Sequence, residues 1–415
     1  MSVAEPQAPA SPPTLSLAER DRRWAAARAL MRERGLDCLL VGGFRAREMY
    51  ESYISDDYNE GSVVFPLEGE PVVVTWAILR VLRAYWSAEQ GHELWVKDYR
   101  VATTGTAAAE VVREKLSRGG KLGVVGLRSQ APTEMHGAIP ATWWQELTEA
   151  LPGLQFEDIS EEFSYLMLPK SNEELALIRY AARAAEAACA AMRDVAEPGV
   201  GEEAIMAEGT RAMLRCGIGM RYPNIVMNSG PHTLSWGPPR WTTRAEPPRR
   251  IQRGDLVQAE LMPLCGNQEI QVQMTIALDP LDDVNQKCER VAREAYDAGL
   301  KALRPGIRFS DLVAEMAEPL RVAGCWAYTP LVHSISPHFL MGRTAVNMEN
   351  LNLGVRVIGS AAYRDRDTVI KPGMVFAFEP NACIGFHRVN LGGTVVVTET
   401  GCEELNEIPT RVSHK

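Results

Sequence analysis

The chain of 415 residues is long enough for two domains with cores of their own, and its 46% hydrophobic and 23% charged residues are the balance of an ordinary globular protein. A net charge of −9 without any Lys/Arg cluster excludes a nucleic-acid partner, which would need a basic face. No apolar run approaches the ~20 residues that span a bilayer, so no membrane role is expected.

Residues 1–15 open with MSVAEPQAPASPPT, which reads as a flexible Pro/Ala tail lacking the charged and apolar regions of a secretion signal. Ser16-Leu17-Ala18-Glu19 is a capping-box pattern, and Trp24, Ala27, Leu30 and Met31 form the apolar stripe of the helix it opens, which stops at Gly35. Cys38–Val41 reads as a strand, 62–66 and 72–76 as a hairpin around LEGEP, 105–116 as a helix and 121–127 as a buried strand. This alternation predicts a self-contained α/β domain over 16–165.

The composition then changes. In the domain assigned to 166–415, Ser171-x-x-Glu174 caps a long alanine-rich helix, and a second helix is expected at 202–215. A Pro/Gly/Trp-rich loop (221–249) leads into GDLVQAE (254–260). Helices at about 284–303 and 309–323 precede GMVFAFE (373–379). Each of these two stretches starts at a glycine, runs through an apolar strand and delivers a glutamate six residues later. Helix pairs before each copy suggest duplicated halves related by a pseudo-twofold axis. The eight cysteines are scattered without a C-x-x-C pair, which fits free thiols in a reducing cytoplasm.

Strand alternation puts Glu260 on one face with Gln258 and Leu256, and Glu379 on one face with Ala377 and Val375. If the halves are pseudo-symmetric, both acids point into one cavity. An ionised carboxylate costs several kcal/mol to desolvate unless a positive or hydrogen-bonding group compensates. The plain alternative is a pair of strand-end acids, each satisfied by a backbone amide or an arginine. Among the histidines, His333 follows an apolar strand-like segment in PLVHSISPHFL, with His338 five residues on. His232 lies in NSGPHTLSW beside Trp236, and His387 in IGFHRVNLGG. A histidine at a strand end is more often structural than catalytic; polar groups converging on His333 from separate elements favour a functional role for it.

LPKSNEELALIRYAA, MNSGP, RGDLVQAEL, VHSIS and KPGMVFAFEP running on to TVVVTETGCEEL together resemble the creatinase and Xaa-Pro peptidase family. The resemblance covers about residues 20–410. It implies an α/β (α+β) protein with an N-terminal creatinase-like α/β domain and a C-terminal pita-bread catalytic domain. The family's peptidases hold two metal ions with five side chains, whose positions fall here on Glu260, Gln271, His333, Glu379 and Gly392. Gln271 is neutral and Gly392 has no side chain, so the resemblance implies that no cofactor is needed. A single divalent metal on Glu260, His333 and Glu379 is the alternative. The family's loop histidine falls near Trp236-Gly237, where His232 could stand in.

Creatinase works without metal, using a histidine as acid/base and carboxylates for a guanidinium. Its positions match at His333 and Glu379, and at His338 and Arg343 after a small loop shift. One guanidinium-binding glutamate falls on Gln273, so the substrate must differ. Catalytic roles are therefore expected for His333, Glu379 and Glu260, and substrate contacts for His232, Trp236, Gln271, Gln273, His338, Arg343 and Tyr58. The counter-charge for the two acids would come from a cationic substrate, from Arg343 or from a protonated His333. At ~4 Å and an effective dielectric near 20, one such pair is worth about 4 kcal/mol before desolvation. The resemblance further implies a homodimer in which the N-terminal domain of one subunit, with Tyr58 and Glu60, closes the partner's cavity over a small-molecule substrate. The expected reaction is hydrolysis of a C–N bond in a small cationic nitrogenous compound. A one-metal dipeptidase, a lyase of the same fold and a catalytically silent binding protein are the competing readings.

Overall fold

The computed structural model describes residues 11–116, 120–130, 136–232, 234, 236–342, 345–351, 354 and 367–415, at 221–224 for the backbone only. They form two compact units: Thr14–Leu168 with Ser336–Phe339, and Pro169–Ile335 with Leu340–Lys415.

In the first unit, α1 (Leu17–Arg34), β1 (Cys38–Gly42), α2 (Tyr50–Ser55), β2 (Gly61–Pro66), β3 (Val72–Thr75) and α3 (Ile78–Glu89) are followed by β4 (Asp98–Val101), α4 (Gly105–Lys115), β5 (Lys121–Val125), α5 (Ala141–Ala150), β6 (Gln155–Asp158) and α6 (Ser160–Met167). The strands make one mixed sheet in the order β4-β3-β2-β1-β5-β6. Strand alternation divides the core. Leu39 and Val41 pack with Trp24, Met31 and Phe163, while Cys38 and Leu40 pack with Val112, Trp143 and Leu147 on the other face. The cap of α1 is half the predicted box. Ser16 accepts from Glu19 N, but the Glu19 carboxylate pairs with Arg22 and Arg23 at 2.7 and 2.8 Å. α3 turns the other way from most of this unit: Ile78, Leu79, Leu82, Tyr85 and Trp86 are exposed, as is Trp76 just before it.

The second unit contains α7 (Asn172–Val195), which carries the reciprocal capping box of Ser171 and Glu174, then α8 (Glu202–Arg215), β7 (Gly219–Gly230), α9 (Arg240–Thr243), β8 (Leu256–Cys265), β9 (Gln268–Glu269) and β10 (Val272–Ala277). The second half follows with α10 (Asp283–Ala302), α11 (Phe309–Ala323), β11 (Val332–Ser334), β12 (Val375–Phe378), β13 (Asn381–Ile384), β14 (His387–Asn390), β15 (Gly393–Val397), β16 (Cys402–Glu404) and β17 (Ser413–His414). One sheet runs β17-β10-β8-β7 and the other β11-β12-β15-β16, with β13-β14 a separate hairpin. Each half thus has a helix pair, then a strand, the glutamate-bearing strand and its antiparallel neighbour. The two glycines that start the repeated stretches match in conformation, Gly254 at φ 83° and Gly373 at φ 80°, a left-handed region that disfavours other residues.

A bridge between Gln273 and Gly392 joins the halves, with Gln273 N donating to Gly392 O at 3.2 Å and Gly392 N to Gln273 O at 2.9 Å. Side-chain bonds extend the seam. Thr394 Oγ1 donates to Gln271 O at 2.9 Å, and Gln258 Nε2 to Arg388 O at 2.8 Å.

Candidate active site

Packing of the helix layer decides which way the acids point. On β12, Phe376 stacks on Phe309 of α11 and Phe378 meets Tyr296 of α10 edge-on. Alternation then sends Ala377 and Glu379 to the opposite side. His333 is paired with Ala377 across β11 and β12, so it shares that side. On β8, Glu260 lies opposite Gln273 of β10 and Val226 of β7, with Gln258 two residues away on the same face. The sequence expectation of two strand-end acids holds for Glu379, one residue beyond β12. It is corrected for Glu260, because β8 continues to Cys265.

Glu379 is held on both oxygens. Gln273 Nε2 donates to Oε2 at 2.8 Å, and His333 Nε2 stands 3.3 Å from Oε1. His333 Nδ1 lies 2.9 Å from the Ser334 carbonyl oxygen, which can only accept, so Nδ1 carries a hydrogen. The contact between Nε2 and Oε1 is attractive only with a second proton between them.

Glu260 is 5% exposed, and its Oε2 accepts from Trp236 Nε1, although the Trp236 ring is 58% exposed. The counter-charge here includes a residue that sequence reading missed, Arg388 on β14. Its guanidinium is buried and feels both Glu260 and Glu379. Burial lowers its pKa from the usual range, while Cys383, Glu260 and Glu379 act against that shift. Arg388 Nε donates to Asn381 Oδ1 at 2.6 Å, and Asn381 Nδ2 donates to Glu379 O at 2.9 Å. Arg388 thus adds an internal cation to the predicted counter-charges, a cationic substrate, Arg343 and a protonated His333. Arg343 itself lies outside the described residues.

Glu260, Trp236, Gln258, Arg388 and Asn390 line a common cavity of about 10 Å³, room for one water at most. Three buried amide oxygens around these acids, Gln258 Oε1, Gln273 Oε1 and Asn390 Oδ1, have no hydrogen-bond partner. For Gln258 and Gln273, the bonds made by Nε2 to a carbonyl and a carboxylate fix which end is oxygen. Such orphaned acceptors each cost roughly 1–3 kcal/mol, and N–H donors of a ligand would satisfy them.

The other predicted contacts fare unequally. Gln271 is buried, not solvated, and Nε2 donates to Glu269 Oε1 at 3.1 Å. His232 is exposed, its ring 5.3 Å from His387 and 6.5 Å from Phe386. His338 belongs to the first unit, where Arg47 Nη2 meets its Nε2 at 3.0 Å and Glu48 Oε1 lies 3.3 Å from Nδ1. Both ring nitrogens thus have polar contacts within that unit. Tyr58 is half-buried in the first unit under the Arg80 guanidinium at 5.3 Å, and burial raises its phenol pKa. Glu60 is no free acid. Although burial opposes it, Trp76, Arg45 and Arg80 bring its pKa below the usual range.

The residues present do not fit a two-metal centre. An ideal Cβ on Gly392 would lie 2.0 Å from Phe378 O and 2.5 Å from Gln273 Oε1, so the Gln273 amide occupies the space beside that position. Among the described residues, no three His, Cys, Asp or Glu side chains are grouped to hold a metal ion.

A model of metallopeptidase family M24 matches residues 176–399, more than half of the chain. The chain belongs to this family. Over 97% of its length it is 25% identical to the creatinase of Bacillus sp. (strain B-0618), covering 94% of that protein. It is 22% identical to the ectoine hydrolase of Halomonas elongata, over 93% of this chain and 94% of that one. The X-Pro aminopeptidase of Thermotoga maritima has the same fold, at a TM-score of 0.73 and 17% identity over 94% of this chain and 99% of that chain. This M24 member has the pita-bread fold and is an enzyme, a hydrolase.

Proposed function

We propose that this M24 hydrolase works without metal and cleaves a C–N bond of a small nitrogenous compound that carries one positive charge and several N–H donors. The observation that carries this reading is the His333–Glu379 couple, oriented by Gln273 and set beside Glu260 and the orphaned amide oxygens. The Glu260 carboxylate, which lines the cavity, favours a monocation over a neutral analogue. Its N–H groups would go to Gln258, Gln273 and Asn390, and it would displace the Trp236 indole from Glu260.

In the reaction, His333 Nε2 gives its proton to the leaving nitrogen and takes one from the attacking water, with Glu379 Oε1 keeping the imidazole in place. Water adds at carbon, the C–N bond breaks, and His333 returns to its starting state. Similarity to a creatinase and to an ectoine hydrolase supports a non-peptide substrate. Turnover of amidines, guanidines and cyclic amides by metal-free protein is the test. Activity should survive a strong chelator and fall by at least roughly 10² in His333→Ala. Activity that disappears with chelator and returns with one equivalent of metal would favour the one-metal reading.

We also propose a cytoplasmic homodimer. No described helix is long and apolar enough to cross a membrane, and the eight cysteines are free. The exposed apolar stripe of α3 supports association, since contiguous patches of this kind mark contact surfaces. A protein that sediments as a monomer at micromolar concentration removes the dimer from the proposal.

A further inference from the structure

Family M24 carries metal at the centre of this fold, yet here the donors do not fit one, and Gly392 cannot accept a replacement side chain without moving the Phe378 backbone. Two carboxylates nevertheless remain, Glu260 and Glu379, both more than nine-tenths buried. Such a pair needs a cation. Arg388 is the buried cation on the page: it lines the same cavity as Glu260, and Asn381 ties its Nε to the Glu379 backbone. Gln258 fixes the Arg388 main chain from the opposite sheet. Arg388 is thus held from both halves of the unit, its guanidinium by Asn381 and its main chain by Gln258.

We propose that Arg388 is a built-in replacement for the metal, a positioning residue whose guanidinium balances Glu260 and Glu379. The proposal stands on this charge arrangement and not on which substrate the enzyme takes. It has a consequence that a merely structural arginine lacks. Removing the guanidinium should leave Glu260 and Glu379 open to a small organic cation in its place. At about 5 Å and an effective dielectric near 20, loss of one positive charge corresponds to roughly a hundredfold gain in affinity for an added cation.

The experiment compares thermal unfolding of the full-length wild-type protein and Arg388→Gln with and without millimolar guanidinium, after purification without added metal, with circular dichroism as the check on folding. Arg388→Gln should melt at a lower temperature than the wild type, and guanidinium should raise its melting temperature by more than it raises that of the wild type. If Arg388→Gln does not fold, the double variant Arg388→Met/Glu260→Gln decides. It should fold, because the uncompensated charge has been removed with its partner. Stoichiometric metal in the wild type that is lost in Glu260→Gln overturns the proposal. So does an Arg388→Gln protein with unchanged melting temperature and no greater response to guanidinium than the wild type, or a double variant no better folded than the single. Activity is not a readout in any arm, so failure here is distinguishable from failure of the hydrolase reading.

Discussion

Replacing Gln273 by Glu changes one atom pair at the centre of the site. In the native protein, Gln273 Nε2 donates to Glu379 Oε2 at 2.8 Å. In Gln273→Glu, that donor becomes a second carboxylate oxygen in the same place, with Gly392 packed against the side chain. Two full charges held about 4 Å apart at an effective dielectric near 20 repel by about 4 kcal/mol. That is equivalent to about a thousandfold change in proton affinity. One proton should therefore stay on the carboxyl pair well above the ordinary carboxylate range. For an acid that binds its proton more tightly when folded, stability is lost as pH rises from the unfolded-state value through the folded one. Gln273→Glu should melt close to the wild type at pH 4 and progressively below it towards pH 8, and guanidinium should restore part of the loss. Melting curves that stay parallel over this range, without a guanidinium effect, would refute the claim that Gln273 and Glu379 face one another in a desolvated seam.

Two further substitutions test other parts of the account. Glu51 in α2 is fully buried, and burial raises its pKa from 4.5 to about 8, with the backbone amides of Glu51, Asn59 and Ser52 acting against the shift. Stability should fall between pH 4.5 and 8 by about 3 kcal/mol at pH 7, and Glu51→Gln should flatten that dependence in chemical denaturation; an equally steep profile in the variant would count against it. Gly392→Ala would set a Cβ 2.0 Å from a backbone oxygen that cannot turn aside, so destabilisation of about 1–3 kcal/mol is expected. Native stability in that variant would contradict the close seam.

Local signals were legible where a few adjacent residues determine the outcome. Ser171 and Glu174 announce their cap, Gly35 ends α1, and the matched glycines 254 and 373 mark the duplicated strands. His333 and Glu379 were readable because alternation along β11 and β12 is a period-two property. Arg388 was not, although it directly follows His387 in sequence. Its place depends on the β13–β14 hairpin facing β8 and β10, which no local pattern encodes. A buried arginine and a surface one look alike in sequence. His338 lies only five residues after His333 but in the other unit, a placement that sequence spacing does not specify. Trp236 was anticipated as a substrate contact, but its bond to Glu260 follows from a loop conformation that spacing does not specify.

The most direct measurement is a crystal structure of the protein soaked with methylguanidinium. The account predicts Trp236 displaced from Glu260 and ligand nitrogens at about 3 Å from Gln258 Oε1 and Asn390 Oδ1, with Arg388 unmoved between the acids. A metal ion bound by Glu260, His333 and Glu379, or a ligand that leaves these oxygens untouched, would contradict it.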